Sequence, residues 1–280
     1  MPVRLGKTIG WAPALAGFAL IAASPATPQA APAWAAPKAS DWSAIAKLPD
    51  FSGVWVPDVT DQKNQETSNT PPWTAPVAAQ MAKLVKDEKD GHPFLVLHGC
   101  LPYGMPALML MTHNSMEILY SPGRVTMLGE SDGNRLRRIY TDGRKHPEDP
   151  DITAHGHSIG HWEGETLVVD TIAVAPQSMF AISEAVAVPN DGEMHIVERI
   201  HLTKKPNELA DDLTITDSKV LTKPWTTTRL WHRLRAEKYE IVEGECTQGL
   251  FDPAKDKNGH DIYVPIPETP DGTAVPVTKR

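Results

Sequence analysis

Cysteine is almost missing from this 280-residue chain: only Cys100 and Cys246 are present, so no cysteine cluster is available to hold a metal. Positive charge is also scarce. Lys and Arg number 27 against 35 Asp and Glu, a formal charge of −8, which argues against a nucleic-acid partner. No apolar run approaches the roughly 20 residues of a membrane span, the longest being residues 9–23. There is no P-loop, no glycine-rich dinucleotide turn and no HExxH, so neither a nucleotide nor a redox cofactor is expected, nor a metal. No internal repeat is visible, which disfavours a propeller. With 41% hydrophobic and 22% charged residues, wholesale disorder is excluded as well.

What is present begins with an export signal. Arg4 and Lys7 precede the uncharged run 9–23, and small residues offer cleavage after Ala26 or Ala35, so residues 1–35 read as a signal peptide. Residues 36–50 read as a linker, 51–250 as one domain, and 251–280 as a Pro-rich tail. The expected location is the periplasm or outside the cell. There, two cysteines with none left over are most simply one disulfide, Cys100–Cys246, the alternative being two buried thiols.

Within the domain, Val77, Met81, Leu84 and Val85 recur at helical spacing over 75–90, stopped by Gly91 and Pro93. The conformation of the Met-heavy segment 107–111 stays open. Elsewhere the chain is a series of short β-rich runs punctuated by Gly, Pro, Asn and Asp: 51–56, 116–120, 124–130, 135–140, 158–162, 166–172, 194–202, 209–215, 225–234 and 239–246. Hairpin-sized links join many of them. The expected fold is therefore all-β, an antiparallel up-and-down barrel with one N-terminal helix, since such a sheet must close or cover its edges. Gly53-x-Trp55 in the first strand resembles the lipocalin-like, or calycin, barrels.

Chemistry concentrates in two segments, 135–147 and 155–171. Alternation over 135–140 places one of Arg137 and Arg138 on a face with apolar neighbours, where it needs a carboxylate; Glu163, Asp170 and Glu198 are available. His157 and His161, four apart in a strand, are separated by roughly 13 Å, too far to share a metal without a kink. In 194–202, Glu198 shares a face with Met194, Ile196, Ile200 and Leu202, while His195, Arg199 and His201 take the other. Glu198 is then either paired with an Arg or raised in pKa as an acid–base group. Ser158 lacks the strand–turn–helix context of a nucleophile.

Several phrases taken together are similar to those of a family of exported bacterial proteins: Phe51-Ser-Gly-Val-Trp55, Cys100-x-Pro-x-Gly-Met-Pro106, Pro122-Gly-Arg-Val-Thr126, Arg137-Arg-Ile-Tyr-x-Asp-Gly-Arg-x-His-Pro147, Gly156-His-Ser-Ile-Gly160, Trp162-Glu-Gly-x-Thr-Leu-Val-Val-Asp-Thr171 and Lys223-Pro-Trp-Thr226. The resemblance spans about residues 50–246. It implies export and brings no substrate, cofactor or catalytic residue with it.

The expected function is cofactor-independent general acid–base catalysis, by a lyase, isomerase or hydrolase, on a small apolar or aromatic molecule in the barrel cavity. His146, His157 and His195 are the proton-transfer candidates, Glu198 and Asp170 their partners, and Arg138 and Arg144 the anion-stabilising groups. The alternative is a non-catalytic carrier of an apolar ligand. A structural envelope protein is a third reading, and the oligomeric state is not legible.

Overall fold

The computed structural model describes residues 36–91, 102–111, 115–130, 133, 135–176, 178–182, 187–190, 192–234, 240–242, 251–255, 257–258 and 261–265. Nine strands close into a barrel: β1 (Gly53–Pro57), β2 (Met116–Ser121), β3 (Arg124–Gly129), β4 (Arg135–Tyr140), β5 (His157–Glu163), β6 (Thr166–Ile172), β9 (His195–Leu202), β10 (Glu208–Thr216) and β11 (Trp225–Arg233). A small hairpin of β7 (Met179–Ala181) and β8 (Ala187–Pro189) is inserted between β6 and β9. Apart from that insertion, sequence neighbours are barrel neighbours, as in a meander.

The expected antiparallel barrel needs one correction. Nine is odd, so strand direction cannot alternate all the way around, and one neighbouring pair must run parallel. That pair is β4 with β5, and only two registered residue pairs span it, Ile139 with Ser158 and Tyr140 with Ile159. The other ladders are antiparallel. Turn chemistry supports them. Pro122-Gly123 joins β2 to β3 with Gly123 at φ +71°, the conformation that the third position of a Pro-Gly turn requires.

The expected helix is α3 (Ala75–Lys89), which begins with Pro76 in its first turn, ends in Lys86 and Lys89, and buries Met81. Among the described residues three shorter helices accompany it, so the expectation of one helix is corrected. They are α1 (Ala39–Ile45) in the segment expected as linker, α2 (Val59–Glu66), and α4 (Ala107–Leu110), whose four residues are all buried. The segment expected as tail includes a two-stranded sheet of β12 (Phe251–Lys255) and β13 (Asp261–Pro265). Cys100 and Cys246 lie outside the described residues, as does most of the tenth expected strand. Among the described residues no helix is long and apolar enough to cross a membrane.

Strand alternation decides which side chains face inward. Trp55, Ile118, Val125, Met127, Ile139, Leu167, Val169, Ile196, Ile200, Leu213 and Trp231 form a dry core. At one end Trp162 packs on Phe51 at 5.4 Å between ring centres, and on Tyr120. The Tyr120 hydroxyl donates to the Pro49 carbonyl (2.7 Å) and accepts from the Phe51 amide (3.1 Å), and burial pushes its pKa up to about 12.

Arg137 is the arginine that shares the apolar face, and Glu198 is its partner. Both side chains are fully buried. Nη1 donates to Glu198 Oε1 (2.8 Å) and Nη2 to Oε2, while Nη2 also donates to Thr171 Oγ1 (3.1 Å). Asp211, on the same inner face, is held well above the ordinary carboxylate range by burial and by the neighbouring Glu198 charge, with Arg137 acting in the opposite sense. Truncating one member of a buried pair strands the other charge. Arg137→Ala or Glu198→Ala is expected to destabilise the fold by about 3–5 kcal/mol in urea titrations, whereas the apolar double variant Arg137→Met/Glu198→Leu recovers most of that loss.

Candidate functional site

The outer face of the barrel, behind this buried pair, carries the candidate site. The β4–β5 seam supplies its first half. Tyr140 ends β4 and His157 begins β5, and the connection between them, residues 141–156, carries Arg144 and His146. Gly156 sets the entry to β5. Its φ is +68°, and a Cβ there would lie 2.5 Å from the Ile172 carbonyl oxygen, so only glycine brings the chain this close to β6. The second half comes from β6 and β9, where Asp170 and His195 point outward.

Four of the expected residues form one hydrogen-bonded chain. His157 Nδ1 lies 2.8 Å from His146 Nδ1, and His146 Nε2 lies 3.3 Å from Asp170 Oδ1. His195 Nε2 lies 2.8 Å from the same Asp170 oxygen. A carboxylate only accepts, so His146 and His195 each donate through Nε2–H. With His146 neutral, its Nδ1 holds a lone pair and accepts from His157 Nδ1–H. The Nε2 of His157 is thereby left as a lone-pair nitrogen. His146 is largely covered (17% exposed), whereas Asp170 and His195 are 44% and 42% exposed.

Aromatic and cationic neighbours frame the chain. His157 stacks on Tyr140 with ring centres 5.6 Å apart, and its ring meets that of His146 edge-on. The Arg144 guanidinium sits 3.9 Å from the Tyr140 ring centre and donates to Asp142 through Nε (2.9 Å) and Nη2 (2.6 Å). Burial, followed by His146 and Arg144, lowers the His157 pKa below its ordinary 6.5.

The remaining expected residues fall elsewhere. Glu198 belongs to the buried pair inside the barrel, and strand alternation turns it away from His195. It therefore orients none of the imidazoles. Arg138 is exposed on the outer face, and Arg137, the buried arginine, is not among the anion-stabilising candidates. Ser158 is buried with its hydroxyl 2.8 Å from that of Thr171, on the inner side. His161 pairs with Glu163 on the outer surface, where Arg199 also donates to Glu163. The expected placement of the site in the barrel interior is therefore corrected: the His–Asp chain lies outside. Sequence reading missed Tyr140 as a stacking partner and Asp142 as the holder of Arg144, although Asp142-x-Arg144 two residues apart is a readable pairing signal. Among the described residues no group of three His, Cys, Asp or Glu converges as a metal site.

No family model and no curated protein matches the chain. Among solved structures it is similar to the fluorescent protein UnaG, at 14% identity and a TM-score of 0.30, over 66% of this chain and 97% of that one. A point mutant of UnaG aligns at a TM-score of 0.29. At this level the likeness carries nothing about ligand or activity.

The lowered His157 pKa has a sign. The folded ring holds its proton less tightly than the unfolded one, so this group's contribution to stability is complete above about 6.5 and is lost as pH falls through the folded value. Because Arg144 contributes to the depression, Arg144→Gln is expected to move the His157 titration midpoint upward in NMR spectra of the imidazole C–H protons.

Proposed function

We propose that the protein is an enzyme that moves protons on a small molecule held against the outer face of its barrel, and that it works in the periplasm or beyond after export. The hydrogen-bonded chain from His157 through His146 to Asp170 is the observation that carries this reading. His157 Nε2 takes a proton from the substrate. Its Nδ1 proton then passes to His146, and the resulting imidazolium lies against the Asp170 carboxylate, so positive charge forms where an anion already waits. Arg144, held in place by Asp142 and by the Tyr140 ring, is the group that meets negative charge developing on the substrate.

The reading needs no cofactor and leaves the carrier as its rival. The discriminating experiment incubates mature protein with small-molecule mixtures and follows consumption by mass spectrometry, using His157→Ala as the control. In an enzyme, His157→Ala and Asp170→Asn lower turnover by about 10²- to 10⁴-fold while binding persists. In a carrier only affinity changes. Turnover of any compound consumed should be lost as pH falls through the His157 value, giving an acid limb below 6.5. An acid limb that lies above that value, or turnover untouched by His157→Ala, overturns the assignment.

A further inference from the structure

His195 is bound to the same carboxylate oxygen as His146, and the strand register places it opposite His157. His157 is paired with Ile172 across β5–β6, and Thr171 with Ile196 across β6–β9. One rung further, Ile172 lies beside His195. His157, Ile172 and His195 thus form one row across three neighbouring strands on the outer face, with the two histidine Cα atoms about 10 Å apart, two strand spacings. Ile172, half-buried, stands between the two histidines in that row. Asp170, two residues before Ile172 on the same face, takes the Nε2 protons of His146 and His195.

Resting on the reading of His157 as base, we propose that His195 is a second catalytic residue, and that the pair carries out a proton shift from the α to the γ carbon of a small β,γ-unsaturated carbonyl compound lying over Ile172. One carboxylate balances one imidazolium. The reaction begins with that charge on His195, carrying Nδ1–H and Nε2–H, and with His157 neutral. His157 Nε2 removes the proton next to the carbonyl, and the C–H electron pair moves through the carbonyl carbon onto oxygen, giving a dienolate that faces Arg144. The pair on the dienolate oxygen re-forms the carbonyl, the double bond shifts to lie between the α and β carbons, and the electron pair of the former β,γ double bond takes the Nδ1 proton of His195 at the γ carbon. One proton leaves one carbon and one reaches another, and the imidazolium moves from one side of Asp170 to the other. Transfer through solvent from His157 to His195 restores the start.

The test uses 3-cyclohexen-1-one in deuterium oxide. Conversion to the conjugated 2-cyclohexen-1-one is read by ultraviolet absorbance, and deuterium uptake at C2 by mass spectrometry. The wild-type protein is expected to catalyse both. His195→Gln should keep C2 exchange within about threefold and lose conversion by about 10²-fold or more, while His157→Gln loses both. Nitrogen-15 spectra supply a readout without substrate: His195 should show a hydrogen-bonded Nε2–H that disappears in Asp170→Ala, with circular dichroism confirming the fold. Exchange without conversion in the wild type, or conversion untouched by His195→Gln, overturns the two-imidazole assignment and leaves His157 as base. Exchange retained in His157→Gln overturns the base assignment itself. Neither exchange nor conversion in the wild type overturns the carbonyl class.

Discussion

A closed sheet of nine strands must contain one parallel neighbour pair, and where that pair falls decides much else here. Antiparallel neighbours can be joined by two-residue turns, whereas parallel ones need a longer return. The return between β4 and β5 is residues 141–156, and it leaves the sheet at Tyr140 and re-enters at His157. Because β4 and β5 overlap by only two residue pairs, this return does not have to travel the length of the barrel. It is free to fold back over the outer face, which is how Arg144 and His146 reach groups on β4, β5 and β6.

The two faces of the sheet at this level hold opposite kinds of polar arrangement, and strand alternation keeps them apart. Inward, Ser158, Thr171 and Glu198 surround the Arg137 guanidinium, an ion pair sealed from water whose two terminal nitrogens are bonded and whose Nε is left without a partner. Outward, their chain neighbours His157 and Asp170 join His146 and His195 in a part-exposed hydrogen-bonded chain. A one-residue slip of β9 alone would turn His195 inward and Glu198 outward. Breaking one member of the buried pair is costly, whereas an apolar pair of like volume would fill the same space.

Much of this was readable from residue order. Period-two alternation marked nine of the barrel's strands within a residue or two, and the same alternation established that one of two adjacent arginines had to be internal. It did not say which, because the choice depends on which face of the barrel is inward, and only closure settles that. His146, His157, Asp170 and His195 were nominated by residue type and local density, but their meeting depends on the β5–β6–β9 order and on a return loop whose path has no periodicity to read. Ile172 was invisible as a site residue because an isoleucine at a strand end looks like any other. The short helices escaped for a related reason: α4 spans four residues, Ala-Leu-Met-Leu, and is held by burial on every side instead of by an amphipathic stripe.

The β7–β8 hairpin and the 141–156 return share one property: each leaves the barrel between strands whose own ladders are complete without it. Two histidine-bearing strands and one histidine-bearing excursion thus answer to different demands during sequence change. Strand positions must keep their alternation or the core fails, while the excursion can lengthen, shorten or exchange side chains with the sheet left intact. The side chains at positions 144 and 146 can therefore be exchanged without touching the strand that carries Asp170.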